Sequence, residues 1–168
     1  MNEELIQEIE SKTDDSTVET AQVSMTTWLI FLISDKKYAV RSCDVVEIIS
    51  DLSVYKLPFM PKYVEGVLNR RGDPFTVINP NVILQEDPNL PPPEKSLFMI
   101  FNRRDDQLSL HISDILLFTS IEDTNLKLIL DSSEESFFLG TVTYDGEDIP
   151  ILNPNAFELK LRKDCGNI

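Results

Sequence analysis

His111 is the only histidine of this chain, and Cys43 and Cys165 are its only cysteines. A histidine working as a general base or a metal ligand needs a positioned nucleophile or further ligands beside it, and the sequence supplies neither pattern. His111 lies in Leu108-Ser109-Leu110-His111-Ile112, where apolar and polar residues alternate. That period places one face of a strand in a core and predicts that His111 faces solvent. Cys43 precedes Asp44 at a corner and is expected to be an inert, partly buried thiol. With no close cysteine pair, neither a disulfide framework nor a zinc site is expected. The acid pairs Asp105-Asp106, Glu134-Glu135 and Glu147-Asp148 fall in loop or turn sequence, where charges are usually solvated rather than paired for acid–base work. Five glycines form no phosphate-binding loop. Arg71-Gly72-Asp73 spells an integrin-binding tripeptide, which in a cytoplasmic hairpin is coincidence. Catalysis, metal and cofactor are therefore not expected. The reading of a different class is a small hydrolase or ligand-binding β-barrel using His111, Cys43 or loop carboxylates. Replacing His111 and Cys43 together tests this reading, because an enzyme using them would lose its activity.

The formal net charge is −14 over 168 residues, which argues against nucleic acid and anionic lipid as partners, since both demand excess Lys and Arg. Residues 1–24 carry seven acids against Lys12, a net of −6, which leaves −14 − (−6) = −8 for the rest. This segment reads as an acidic, solvated and disordered tail. The competing reading is a short amphipathic helix using Leu5, Ile6 and Ile9 against a partner. No apolar run approaches the roughly 20 residues needed to cross a bilayer, and acids stand where a secretory signal would carry bases. A cytoplasmic protein is expected.

The elements that must position these residues come from a sequence that repeats itself once. Gly66–Asn81 laid over Gly140–Asn155, at an offset of 74, matches Gly66 with Gly140, Gly72 with Gly146, and Asn79-Pro80-Asn81 with Asn153-Pro154-Asn155. Upstream, at an offset of 70, Ile30-Phe31 falls on Ile100-Phe101, Asp44 on Asp114, and Val45-Val46 on Ile115-Leu116. Each unit reads as β. Trp28–Ile33 and Leu97–Phe101 are continuous apolar runs, each followed by a polar turn and a second strand. Gly72 and Gly146, with Gly66 and Gly140, are expected to serve tight turns that need positive φ. Ser42 and Ser113 could each cap a single helical turn. No long helix is predicted outside the acidic N-terminus. Pro88 and Pro91–Pro93 mark the connection between units. The expected fold is all-β, with a first small barrel over about 27–86, a second over about 95–160, and a C-terminal tail at 161–168.

Val45-Val46-Glu47-Ile48, followed by Leu57-Pro58-Phe59-Met60-Pro61-Lys62-Tyr63-Val64-Glu65-Gly66-Val67-Leu68-Asn69-Arg70-Arg71-Gly72, resembles the CheW family. That family's signature is a Val-x-Glu-Ile corner, then Pro-x-x-Pro-x-aromatic-aliphatic-x-Gly-Val-aliphatic-Asn-x-Arg-Gly. Weaker similarity extends over residues 27–160. The resemblance implies two pseudo-symmetric five-stranded, SH3-like barrels packed side by side. It implies two partners: the regulatory domain of a CheA-type histidine kinase and the cytoplasmic tip of methyl-accepting chemoreceptors. It also implies a chemotaxis scaffold with no chemistry of its own, held at membrane receptor arrays through those partners. An adaptor of a non-flagellar chemosensory array is the related alternative. The sequence departs from the pattern at Arg70, where an aliphatic residue is usual, at Thr76, which replaces a frequent Pro, and at Asn79-Pro80.

Within this resemblance, Val45, Glu47, Asn69 and Arg71 are the candidate partner-binding residues. Glu47 and Arg71 are expected to pair across the first barrel, because a planar guanidinium can bond a carboxylate through two parallel N–H groups. Simple alternation puts Val45 on the contact face with Glu47, and Val46 and Ile48 in the packing. Asn69 shares the face of Arg71 or, alternatively, stabilises the turn.

Overall fold

A computed structural model of the chain describes residues 23–103, 107–130 and 133–166. The acidic segment with Leu5, Ile6 and Ile9, and the Asp105-Asp106 pair, lie outside the described residues. The first repeat supplies β1 (Met25–Ile33), β2 (Lys36–Arg41), β3 (Val45–Ser50), β4 (Val54–Tyr55), β5 (Val64–Arg70), β6 (Asp73–Ile78) and α1 (Pro80–Leu84). The second supplies β7 (Leu97–Phe101), β8 (Leu108–Ile112), β9 (Asp114–Glu122), β10 (Leu126–Leu128), β11 (Phe138–Tyr144), β12 (Glu147–Leu152) and α2 (Pro154–Cys165).

The strands form two six-stranded sheets, in the orders β10-β11-β12-β2-β1-β9 and β3-β7-β8-β6-β5-β4. In each sheet the end strands are neighbours in the chain, β9 with β10 and β3 with β4, so short connections curl the sheet back on itself. This is the all-β, pseudo-symmetric two-barrel architecture of the SH3-like type expected, with six strands in each sheet rather than five. The barrels do not coincide with the sequence repeats. One, here called the continuous barrel, is built from β3–β8, residues 45–112. The other, the split barrel, joins β1 and β2 to β9–β12. Each repeat therefore donates its first hairpin to the other repeat's barrel, which corrects the division at 27–86 and 95–160. The exchange is sealed by parallel pairing, Ile151 with Ala39 in one barrel and Thr76–Ile78 with Leu108–Leu110 in the other.

The exchange explains the apolar runs. Trp28 and Ile30 join Ile121, Val142, Ile149 and Ile151 inside the split barrel. Phe98 and Ile100 join Leu68, Phe75 and Val77 inside the continuous one. The alternate residues Leu29, Phe31, Ile33, Met99 and Phe101 turn outward into a third cluster, which takes residues from both sheets. A strand covered on both faces needs no polar side, so it reads as an unbroken apolar run. β8 lies in the same position and is buried throughout, Ser109 and His111 included. The expectation of a solvent-facing His111 is therefore overturned: its residue is only 5% exposed. Alternation along β8 separates two buried faces, not core from water.

The repeated Asn-Pro-Asn opens a helix in both units. The Asn79 side chain accepts from the Asn81 amide at 3.0 Å, and Asn153 accepts from the Asn155 amide at 3.2 Å. Proline follows each cap at the first helical position, where its missing N–H costs nothing. After α1 the proline-rich connection ends the helix. α2 instead continues for 12 residues, through most of what the sequence suggested was a tail. Phe157 is fully buried on its inner face, and Leu161 packs on the central cluster. Of the two serines, Ser42 opens a 3₁₀ turn without a side-chain cap, whereas the Ser113 hydroxyl accepts from the Ser34 amide at 2.7 Å.

Asn153 also donates to the carbonyls of Ser136 at 2.9 Å and Glu134 at 3.4 Å, tying the β10–β11 connection to the helix start. Asn153→Ala is expected to cost about 2 kcal/mol, the sum of a lost cap and stranded carbonyls. Urea denaturation followed by circular dichroism checks this; a change under about 0.5 kcal/mol would show that the cap is not holding the helix.

Candidate protein-interaction site

The four candidate residues lie on β3, at one end of the continuous barrel's strand order, and on the β5–β6 hairpin, whose β5 is one strand in from the other end. β3 is an edge strand that pairs with β7, and a bulge lies between Val45, opposite Phe101, and Glu47, opposite Ile100. The bulge resets the alternation, since one extra residue must be squeezed out of the ladder. Val45 and Ile48 consequently pack on the central cluster and Ile49 on the barrel interior. Val46 is the residue expelled, 52% exposed. The assignment of Val45 to contact and Val46 to packing is thus reversed. The second repeat does the same: Leu116 is skipped between Ile115 and Leu117 in the β1–β9 pairing and is also exposed.

Arg70 and Arg71 close the hairpin. The Arg70 Nε donates to Glu47 Oε2 at 2.6 Å, and its Nη2 reaches the same oxygen. The guanidinium also lies 5.9 Å from the centre of the Phe75 ring. Arg71 approaches Glu47 Oε1 only to 3.9 Å, and its side chain is 79% exposed. The carboxylate expected to bond Arg71 therefore bonds Arg70, the residue that departs from the family pattern. Asn69 takes the turn-stabilising role, its side-chain oxygen accepting from the Gly72 amide at 2.9 Å. Arg71 sits in the turn at φ +54, held by this clamp.

Gly72 and Gly146 occupy the two hairpin turns as expected, at φ +98 and +77. Gly66 and Gly140 do not. They sit at bulges inside β5 and β11, where a Cβ would lie 2.1 Å from the Tyr55 carbonyl oxygen and 2.2 Å from that of Lys127. Glycine is needed there because the paired strands β4 and β10 bring their backbone too close to leave room for a Cβ.

Both barrels also expose apolar side chains. Tyr55, Leu57 and the fully exposed Phe59 project from β4 and the loop after it; Phe118, Leu128, Ile129 and Leu130 are exposed on the split barrel. A groove of about 450 Å³ lies between the continuous barrel, α1 and α2, lined in part by Lys62, Tyr63, Ile83, Phe137 and Lys160. At its floor Tyr63 donates to Asp164 at 2.9 Å; burial and this carboxylate push its hydroxyl well above the usual tyrosine range. Lys160 beside Asp164 holds that carboxyl below the ordinary aspartate range. α2 is further tied to the continuous barrel by Arg103, which bonds the nearly buried Glu158.

Among the described residues, no group of three His, Cys, Asp or Glu could hold a metal ion. No described helix is long and apolar enough to cross a membrane. Cys43 is exposed rather than partly buried. His111 Nδ1 lies 2.8 Å and 3.0 Å from the two Glu65 oxygens, and its Nε2 lies 2.6 Å from the Lys95 carbonyl. Both ring nitrogens are occupied by the protein's own groups, and the ring packs 4.6 Å from Phe98. This is a strut inside the fold. Sequence reasoning missed it because Glu65 is 46 residues away and nothing local marks the pair.

The CheW-like domain family model matches residues 27–159, a span that takes in both barrels and most of both repeats. The chain belongs to the CheW-like family. A chemotaxis protein CheW of Helicobacter pylori is 37% identical over 49 residues, a stretch that covers 29% of this chain and 30% of that protein. The crystal structure of scaffolding protein TtCheW from Thermoanaerobacter tengcongensis superposes with a TM-score of 0.67 at 20% identity, covering 77% of this chain and 89% of that one. The structural likeness supports the CheW-like fold. The CheW-like signature residues Glu47 and Arg71 are both at the surface end of the continuous barrel, joined there by the unexpected Arg70.

Proposed function

We propose that this CheW-like chain is a chemotaxis adaptor that couples receptors to a kinase through protein–protein contacts. Its partners would be the regulatory domain of a CheA-type histidine kinase and the cytoplasmic tip of methyl-accepting chemoreceptors. It would work in the cytoplasm, reach membrane arrays through those partners, and perform no chemistry itself. The observation that carries this reading is the family match across residues 27–159, which spans both barrels rather than a fragment. The surface supports it. Exposed Val46, Tyr55, Phe59 and Phe118 offer apolar anchors, and Glu47, Arg70 and Arg71 offer an orienting charge cluster. Apolar contact supplies affinity at such sites, and charge supplies register and partner choice.

The test is to mix the purified protein with a kinase regulatory domain and with receptor tip fragments and to follow co-elution. The intact protein should co-elute with both, and Arg71→Glu should weaken at least one complex about tenfold or more. Absence of co-elution with either partner would remove the adaptor reading.

A further inference from the structure

We infer that the acidic N-terminal segment of this chain docks back on the loop between β4 and β5, laying Leu5, Ile6 and Ile9 on Phe59 and setting its glutamates against Lys56 and Lys62. The loop is unusual for a chain of net charge −14, since Val54–Val64 holds two lysines and no acid. Both lysines are exposed, and neither side chain is paired with an acid among the described residues. Between them Leu57 is exposed and Phe59 wholly so, with Tyr55 beside them on β4. Pro58 and Pro61 flank Phe59, whose backbone stands at φ +61, a conformation that a bulky residue rarely adopts. The loop therefore offers apolar area and uncompensated positive charge side by side.

Charge and reach identify the occupant. Glu3-Glu4-Leu5-Ile6-Gln7-Glu8-Ile9-Glu10 is the complement of that loop, with four acids, three aliphatics and no base. At helical spacing Leu5, Ile6 and Ile9 share one side, and Glu8 and Glu10 border it. The other barrel presents the wrong charge. Its counterpart loop, between β10 and β11, exposes Leu128, Ile129 and Leu130, but Asp131, Glu134 and Glu135 follow them in the chain, and Lys127 is already paired with Asp148. Like charge turns the segment away from that loop. Reach is sufficient. Val23, the first described residue, lies 14 residues beyond Ile9. That is about 46 Å of extended chain, against a radius of gyration of about 15 Å for a domain of this size. Tethering keeps the segment at an effective concentration on the order of 1 mM, so a contact of roughly 0.1 mM strength stays closed about ten to one. The docked segment covers Tyr55 and Phe59, two of the apolar anchors named above, and has to leave before a partner can use them.

The experiment uses the full chain and carbodiimide coupling, which joins a carboxylate to an amine in direct contact, with the joined peptides mapped by mass spectrometry. Coupling of residues 3–10 to Lys56 or Lys62 should exceed coupling to Lys36 by about fivefold or more. Lys36, on β2 of the split barrel, is also exposed and unpaired among the described residues, which makes it the control. Leu5→Ser, Ile6→Ser and Ile9→Ser together keep every charge and should bring the yield down to that of Lys36. Phe59→Ser should do the same. The triple variant alters neither barrel and Phe59→Ser replaces a wholly exposed side chain, so both should keep the fold. An equal mixture of nitrogen-15-labelled and unlabelled chains should give couplings within one isotope only. Equal yields at the three lysines overturn the inference, as do yields untouched by the triple variant or couplings that mix the isotopes. None of these readouts needs a kinase or a receptor, so the docking can fail while the adaptor reading stands, and the reverse.

Discussion

Gly66→Ala and Gly140→Ala are each expected to destabilise the protein by about 4 kcal/mol or more, enough to leave a marginally stable domain largely unfolded. Both glycines have φ near +147, a conformation closed to residues with a side chain, and an added Cβ would sit about 2 Å from a backbone carbonyl of the neighbouring paired strand. Backbone cannot swing aside as a side-chain tip can, so relief requires β4 or β10 to leave its sheet. The hairpin glycines provide the control. Gly72 and Gly146 also have positive φ, but an added Cβ meets nothing within 4 Å. Gly146→Ala should therefore cost only about 1–2 kcal/mol, the conformational penalty alone. Urea denaturation of the four alanine variants measures the difference. Equal losses at Gly66 and Gly146 would mean that φ, not the close approach of the neighbouring strand, dictates glycine.

His111→Leu should cost about 3–5 kcal/mol although His111 plays no part in the proposed docking. Removing the ring strands the Glu65 carboxylate, whose side chain is only 15% exposed, and leaves the Lys95 carbonyl without its donor. The loss comes from the orphaned partner. Glu65→Leu combined with His111→Leu should accordingly recover most of the stability, because an apolar pair replaces a buried hydrogen-bonded one at little net cost. Melting curves of both single variants and the double variant check this. A double variant less stable than either single one would show that the pair itself, not relief from an orphaned charge, stabilises the barrel.

These positions also show where local sequence stops being informative. Strand type was readable because the signals are local: apolar runs, turn glycines and a repeat of both. The Glu47 carboxylate was expected on Arg71 and was found on Arg70, because which of two adjacent arginines turns inward depends on how the β3 and β5 ends meet in the curled sheet. Val45 and Val46 exchanged roles because one expelled residue inverts every assignment made by alternation. The start of α2 was in fact legible, since Asn-Pro-Asn combines a cap with a proline at the first helical position, but its length depended on Phe157 and Leu161 finding the central cluster.

The sequence alone determined that this is a duplicated β protein with the CheW signature, since patterning, turn chemistry and the motif are all written within a few tens of residues. Only the tertiary structure decided which hairpin enters which barrel. The two hairpins are alike locally, and either could complete either sheet; the choice is made by connections as short as Ser42–Asp44 and the single residue Ser113, which carry the chain from one sheet to the other. That exchange buries β1, β7 and β8 on both faces, hides His111, and brings Glu47 to Arg70. Each follows from long-range packing between segments tens of residues apart, which no local pattern encodes.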